Sequence, residues 1–258
     1  MSFRTAALSL TVTVALATGL AACSSSDKEA TPTPPPATTS TPTPSPTPTE
    51  TTPPEPTTAD PVVSPIGDAQ WQEILDTDVW REGCPAGRDD LRRLDVNYVD
   101  YDGAVQRGAI VANADVMTSL SRIFTTLFED KFPIARMEPV EKYAGVVDDS
   151  LAANNTSAFN CRRPKEINAP VLKSPHANGR AIDINPETNP WQDPRCKPCW
   201  SPSAEFAKRT PGQGKILKSN NITKLFESEG WIWQDISVAD YMHFDTGFPS
   251  KKWTSPKD

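Results

Sequence analysis

A proline- and threonine-rich segment divides this chain of 258 residues and limits where a packed core can form. From Thr31 to Pro61 the sequence is almost entirely Thr, Pro, Ser and Ala, with repeated Thr-Pro steps. Such a segment has few apolar side chains to bury and lacks an amide donor at every proline, so it predicts an extended, solvated tether. A glycosylated stalk fits the same composition. We therefore place the folded part at residues 65–258, a size typical of one domain.

The segment before the tether has the layout of an export signal. Arg4 precedes an apolar stretch that ends at Leu20, and small residues follow. The motif Leu-Ala-Ala-Cys closes the stretch and resembles the bacterial lipobox, in which the thiol, here that of Cys23, is acylated. The sequence thus predicts a lipoprotein signal peptide at residues 1–22 and a lipidated tether at residues 23–64. An ordinary cleaved signal with a leftover cysteine is the alternative.

These features predict an extracytoplasmic protein that is held by its lipid at the bacterial cell membrane and faces the cell wall. No stretch after the signal is long and apolar enough to span a bilayer. The formal net charge of -7 argues against a nucleic-acid partner, because phosphate binding needs clusters of Lys and Arg that this chain does not show.

The folded part contains an even set of cysteines, namely Cys84, Cys161, Cys196 and Cys199. Export favours disulfides over free thiols, and we favour the pairs Cys84 with Cys161 and Cys196 with Cys199 among the possible pairings. The Cys-Lys-Pro-Cys step also resembles half of a structural zinc site or a redox motif. A second Cys/His pair and the strand and helix pattern of a thioredoxin are missing, which disfavours both interpretations.

Hydrophobic periodicity predicts an α+β domain with early helices and several short strands. In chain order, we expect a first helix capped by Asp68, strands at residues 94–101 and 108–112, a long helix capped by Asn113, a short strand at 134–140, an irregular loop at 148–160, a strand at 180–184, a last helix capped by Asn221, and a closing antiparallel pair at 231–234 and 241–245. In the strand at 180–184, alternation places Asp183 on the face opposite Ile182 and Ile184.

Both histidines of the chain, His176 and His243, lie in segments that are typical of a metal site. The first segment reads Ser-Pro-His-Ala-Asn-Gly-Arg-Ala-Ile-Asp at residues 174–183, and the second reads Asp-Tyr-Met-His-Phe-Asp at residues 240–245. Two imidazoles and one carboxylate, with a second carboxylate left over as a base, form the ligand set of a catalytic zinc site with an open position for water. The pattern favours a hydrolase.

The spacing His-x-x-Gly-x-Ala-x-Asp, followed downstream by Asp-x-x-His, resembles the zinc peptidases of the D-alanyl-D-alanine carboxypeptidase and VanY group. That group includes phage endolysins that cut the L-alanyl-D-glutamate bond of peptidoglycan. The similarity runs from about residue 89 to residue 248, and residues 154–162 resemble the segment that carries a substrate-binding arginine. The resemblance implies a single zinc peptidase domain of the hedgehog and D-alanyl-D-alanine peptidase type, with a small antiparallel sheet, flanking helices and peptidoglycan stem peptides as substrate.

Residue by residue, the resemblance implies that His176, Asp183 and His243 bind zinc, that Asp240 is the general base and that Arg162 holds the substrate. A zinc ion would lower the pKa of its water to about 7, and the base would accept the proton as the water attacks the peptide carbonyl. Asp240 can instead be a strand-end carboxylate, and Arg162 can instead pair with an acid near a cysteine bridge.

The sequence leaves the reaction itself open. Many relatives have Glu as the base, and the Asp here suits the branch that cuts the L-alanyl-D-glutamate bond, but a carboxypeptidase and an endopeptidase both fit. A zinc-stabilised, non-catalytic lipoprotein that binds the cell wall is the alternative, because the hedgehog signalling domain shares the fold and a site can keep its metal while losing turnover. The presence of Asp240 weighs against such a loss.

Overall fold

The computed structural model describes residues 55–161, 174–194, 199–234 and 238–257. Its helices and strands are, in chain order, β1 (Val62–Pro65), α1 (Asp68–Asp76), β2 (Leu91–Val99), β3 (Val105–Asn113), α2 (Met117–Glu129), β4 (Arg136–Met137), α3 (Val147–Ala152), β5 (Asn155–Thr156), β6 (Ala181–Asp183), β7 (Trp191–Gln192), β8 (Trp200–Ser201), α4 (Asn221–Ser228), β9 (Ile232–Trp233) and β10 (His243–Asp245). This mixture of helices and small sheets is compatible with the predicted α+β class. Among the helices so described, none has the length and apolar character needed to cross a bilayer.

The first sheet is antiparallel and has the order β1-β2-β3. Its central hairpin is in register from the pair Leu91 and Asn113 to the pair Val99 and Val105. Helix α2 packs against this sheet through a stripe of fully or almost fully buried side chains, which are Leu120, Ile123, Phe124 and Leu127. The hairpin and the long helix were both predicted, because their apolar residues recur at the spacing of a strand and of a helix.

The folded part includes residues that the sequence places in the tether. Strand β1 pairs with β2, so that Val62 lies opposite Asp95. Before it, the amide of Asn97 donates to the carbonyl of Ala59 at 2.7 Å, and Ala59 is buried. The expected start at residue 65 therefore lies inside the paired region. Backbone hydrogen bonds hold this segment, and an analysis of apolar periodicity does not detect them.

The second sheet has the order β6-β10-β9 and is also antiparallel. Ile182 of β6 lies opposite Phe244 of β10, and both side chains are fully buried in the core. Phe244 stacks on Phe226 of α4 at a ring distance of 4.0 Å. Since alternate side chains of a strand face opposite sides, Asp183 faces away from this apolar layer, as predicted.

Helix starts differ slightly from the prediction. Asp68 is the first residue of α1 rather than its cap, and Gly67 occupies the cap position. Asn220, not Asn221, precedes α4, and its side chain accepts a hydrogen bond from the amide of Leu217. Asn113 does accept a hydrogen bond from the amide of Asp115 at the start of a short 3-10 turn that leads into α2. Polar residues at helix starts are therefore recognised in sequence to within about one position.

The predicted irregular loop at residues 148–160 is wrong in part, because α3 and β5 lie within it. The Asn155 side chain accepts from the Glu138 amide at 2.8 Å and donates to the Glu138 carbonyl at 2.9 Å. These contacts fix β5 beside β4, which is shorter than the strand predicted at 134–140. Hydrogen bonds between distant segments order this polar stretch, and its local composition does not reveal them.

Candidate metal centre

A tight turn carries His176 into the centre of the domain. The turn closes through hydrogen bonds from the Gly179 amide to the His176 carbonyl at 2.9 Å and from the Arg180 amide to the Pro175 carbonyl at 2.8 Å. Gly179 has a φ of +67°, and a β-carbon there would lie 2.7 Å from the amide nitrogen of Asn113. Only glycine meets both conditions, so the glycine of the predicted motif is required by the backbone.

The other two residues of the metal motif lie on neighbouring strands. Asp183 ends β6, His243 begins β10, and the two are directly opposite each other in the sheet register. On its other side, Asp183 forms backbone hydrogen bonds with Ser157 in both directions, at 2.9 and 3.1 Å. The sheet therefore brings together side chains that are 60 residues apart in sequence.

The structure brings His176, Asp183 and His243 into one buried cluster, with one ligand atom from each residue lying within 4.8 Å of the others. His176 Nε2 lies 3.0 Å from His243 Nδ1 and 3.3 Å from Asp183 Oδ2. His243 Nδ1 lies 3.0 Å from Asp183 Oδ1. Each of the three residues is at most 8% exposed, so the carboxylate is largely shielded from bulk water and its charge needs a partner within the cluster.

The hydrogen bonds of the outer ring nitrogens identify the atoms that face a metal. His176 Nδ1 lies 2.6 Å from the carbonyl oxygen of Ala158. Because a carbonyl oxygen only accepts, Nδ1 carries the proton, and the lone pair of Nε2 points into the cluster. On His243 the arrangement is reversed, because Nε2 lies 3.3 Å from Asp245 Oδ2 and Nδ1 faces Asp183.

Charges within the cluster shift the pKa values of its members. Burial lowers the pKa of His243, but hydrogen bonds with Asp183 and Asp245, together with the charges of Asp183 and Asp240, outweigh it and raise the pKa to about 10. Burial raises the pKa of Asp183, but the charge and hydrogen bond of His176 and the hydrogen bond of His243 hold it well below its usual range. The carboxylates thus favour positive charge at this position.

The donor set fits a divalent zinc ion. Two imidazole nitrogens and one carboxylate oxygen are ordinary zinc ligands, and three protein ligands leave a position for water or substrate. The ring hydrogen bonds to Ala158 and Asp245 supply the outer partners that ligating histidines have in metal sites. His176, Asp183 and His243 could therefore hold the ion.

Asp240, the predicted base, lies beside this cluster but outside the ligand set. The amide of His243 donates to the Asp240 carbonyl at 3.1 Å, and the Asp240 amide donates to the Gln234 carbonyl at 3.0 Å. Asp240 also forms an antiparallel bridge with Trp191 next to β7. The negative charge of Asp240 contributes to the raised pKa of His243.

Asp245, which was not among the predicted site residues, lies next to the cluster in the structure. Asp245 is 5% exposed and contacts the outer nitrogen of His243. The signal was present in the run His-Phe-Asp, because residues two apart on a strand share a face. Gln234, which directly follows β9 and donates to Asp245, has no comparable signal in the sequence.

A disulfide lies next to the turn of His176. Cys84 and Cys161, one of the two expected pairs, are joined in the structure, and Cys84 Sγ lies 3.8 Å from the Ala177 carbonyl oxygen. Cys199 is also disulfide-bonded. Its expected partner Cys196 lies outside the described residues, as do Arg162 and Cys23.

Comparison with known families supports the metal interpretation. Residues 168–246 match the model of a family described as D-alanyl-D-alanine carboxypeptidase. The match covers less than a third of the chain, and it contains the metal cluster, Asp240 and Asp245. It supports the zinc peptidase family and suggests a peptidase that acts on peptidoglycan. No curated protein and no solved structure matches the chain.

Proposed function

We propose that this protein is a zinc-dependent peptidase that cuts the stem peptides of peptidoglycan, as a D-alanyl-D-alanine carboxypeptidase or an L-alanyl-D-glutamate endopeptidase. The observation that carries the proposal is the buried convergence of His176, Asp183 and His243, with Asp240 beside them and outside the ligand set. A purely structural zinc site is normally closed by a fourth protein ligand. The match of residues 168–246 to a carboxypeptidase family supports the same conclusion.

When bound, zinc would supply a Lewis acid that polarises the substrate carbonyl and acidifies a water molecule. The chain's own residues perform the remaining tasks. The two histidines and Asp183 would hold the ion. Asp240 accepts a proton from the attacking water as the new C–O bond forms, and then gives that proton to the amine nitrogen as the C–N bond breaks. We assign Arg162 the role of holding a carboxylate of the substrate, because its guanidinium is a permanent, fork-shaped donor.

The burial of the site supports a role for these charges in catalysis. A carboxylate acts more strongly on a nearby proton or cation where water is excluded. The cluster residues are almost fully buried, and Oδ1 of Asp240 is buried as well. This burial suits a base whose carboxylate acts on a nearby proton without screening by bulk water.

The purified protein, loaded with zinc, can be incubated with defined muropeptides and the products weighed by mass spectrometry. Loss of a terminal alanine identifies a carboxypeptidase, and two internal fragments identify an endopeptidase. The variant Asp183→Ala, which removes the only carboxylate of the ligand set, is the control and should leave every substrate intact. Intact substrates with the zinc-loaded wild type would overturn the proposal and favour a non-catalytic protein that binds the cell wall.

We propose further that the protein acts outside the cytoplasm, anchored to the bacterial cell membrane by a lipid on Cys23. The Cys84 and Cys161 disulfide supports export, since such bonds persist in oxidising compartments. Mass spectrometry of the mature N-terminal peptide tests this directly. Acyl chains on residue 23 are expected, and an unmodified cysteine, or a chain released into the medium as readily as Cys23→Ala, would contradict the anchor.

A further inference from the structure

Asp245 lies against the ring nitrogen of His243 that the metal cluster does not use. Its Oδ2 is 3.3 Å from His243 Nε2, whereas His243 Nδ1 faces Asp183 at 3.0 Å. The two residues are two positions apart on β10 and therefore share a face of the sheet. Asp245 thus has the position of an outer partner to a metal ligand.

Both oxygens of Asp245 are themselves held in place. Gln234 Nε2 donates to Oδ2 at 2.5 Å, and the amide of Gly247 donates to Oδ1 at 2.5 Å. Gln234 follows β9, and its amide donates to the His243 carbonyl at 3.2 Å. Because the carboxylate is fixed from two segments, it cannot turn to follow a moving imidazole, and the imidazole must adopt the orientation that the carboxylate sets.

The outer ring nitrogens of the two histidines have different hydrogen-bond partners. His176 rests on the backbone carbonyl of Ala158, which no side-chain substitution removes. His243 rests on a charged side chain, which can be changed by a single substitution. The two outer hydrogen bonds also leave different ring atoms to face the cluster, Nε2 on His176 and Nδ1 on His243.

We propose that Asp245 is a positioning residue for metal binding. It accepts a hydrogen bond from Nε2–H of His243 and so fixes the tautomer in which the unprotonated Nδ1 faces the metal. The proposal rests on the proposed function only in that a metal binds the cluster. Asp245 touches neither substrate nor metal and acts through His243. Outer partners of this kind typically affect metal affinity by about 10–100-fold when they are removed.

The substitution Asp245→Asn tests the direction of this hydrogen bond. The amide of Gly247 needs an acceptor, so the new carboxamide would keep its oxygen there and turn its NH2 toward His243. A donor that faces Nε2 of His243 favours the tautomer with the proton on Nδ1, which cannot bind the metal through Nδ1. We expect the zinc dissociation constant of Asp245→Asn, measured by competition with a chromophoric chelator, to rise by about 10–100-fold.

A second variant and a control separate positioning from stability. Gln234→Met leaves the carboxylate in place but removes one of its supports, so a smaller loss of zinc affinity is expected. Ser119→Ala removes a buried hydrogen bond from Trp231, at 2.9 Å, in the core. That control should lower stability without changing zinc affinity. Wild-type affinity in Asp245→Asn would overturn the proposal.

Long-range 1H–15N correlation spectra of the zinc-loaded wild type test the proposal without any variant. The chain has only two histidines, so the spectrum of the untagged protein contains two imidazoles. We expect one ring with the proton on Nδ1, which is His176, and one with the proton on Nε2, which is His243. Two histidine rings in the same tautomer would overturn the proposal. Failure of the wild type to bind zinc would instead overturn the proposed function, together with the role that depends on it.

Discussion

At the scale of single residues, Gly179 permits the tight turn that places the side chain of His176 in the site. The turn passes so close to the end of β3 that the Gly179 carbonyl accepts a hydrogen bond from the Asn113 amide at 2.8 Å. A glycine in the motif was visible in the sequence, but its reason was not, because the neighbour that excludes a β-carbon is 66 positions earlier in the chain. The ligands and Asp240 could likewise be named from their spacing, whereas Asp245 needed the sheet register.

Gly179→Ala should destabilise the protein and weaken zinc binding. Its φ of +67° strains any residue with a β-carbon, and the contact with Asn113 adds a clash, so a loss of about 1–3 kcal/mol is expected. Urea denaturation gives the free energy of unfolding. Gly212→Ala is the matched control, because its β-carbon would meet only ordinary contacts with Lys215 at 3.7 Å. Equal stability of the two variants would contradict this explanation of the turn.

Asp240→Asn should retain zinc and lose most peptidase activity. The substitution keeps the size of the side chain but removes the proton acceptor, and general base catalysis typically contributes about 10²–10⁴-fold. Rates on a cleaved muropeptide and the zinc content of the same sample are measured together. A rate equal to that of the wild type would remove Asp240 from the mechanism, and loss of zinc would show that it acts as a ligand.

At the scale of elements, the structure joins α2, α4 and the C-terminal segment through one buried carboxylate. Glu229, at the end of α4, is fully buried and pairs with Arg122 of α2 and with Lys257, each at 2.8 Å. The sequence predicted both helices from their apolar stripes, but it could not predict how they are joined. That information lies in contacts between residues more than a hundred positions apart. β5 was missed for a related reason, because Asn155 is held by hydrogen bonds to Glu138 on a neighbouring segment.

Glu229→Gln should lower stability at neutral pH but not in acid. Burial raises the pKa of Glu229, but hydrogen bonds and charges of Arg122 and Lys257 outweigh it and lower the pKa below its usual value of 4.5. The pair therefore stabilises the fold above the usual carboxyl pKa, and this contribution is lost as the pH falls through the lowered folded-state value. Because Arg122 and Lys257 are partly exposed, we expect a loss of about 1–2 kcal/mol at neutral pH.

Denaturation of wild type and Glu229→Gln across an acid series measures this difference. The gap between the two should shrink as the pH falls below the carboxyl range. Glu227→Gln, an exposed carboxylate on the same helix, should show no comparable gap at any pH. A gap that stays constant in acid would mean that the pair does not stabilise the fold through its charge.

At the scale of the whole molecule, long-range connections hold a domain whose sheets are small. The Cys84 and Cys161 disulfide closes a separation of 77 residues and links the segment after α1 to the segment that follows β5. The cysteine count and the expected export signal predicted disulfides, and one of the two favoured pairs, Cys84 with Cys161, is found. The extra strand β1 was missed, because Val62–Pro65 is only four residues long, ends in a proline and directly follows the proline-rich segment.

The double variant Cys84→Ser with Cys161→Ser should unfold more easily. Removing a native disulfide from an exported domain typically costs about 2–5 kcal/mol, largely because the unfolded chain gains freedom. Thermal and urea denaturation of the double variant measure the loss, and Cys23→Ser, which changes a cysteine before the expected tether, should unfold like the wild type. Unchanged stability of the double variant would show that the remaining contacts suffice.

The proposed peptidase requires three distant residues to hold one divalent cation, and the metal content of the purified protein measures this most directly. After dialysis against zinc and then against buffer, elemental mass spectrometry should find one zinc ion per chain in the wild type. His176→Ala, Asp183→Ala and His243→Ala should each lose it while keeping the fold by circular dichroism. A folded wild type without zinc, or full zinc content in all three variants, would contradict the metal centre.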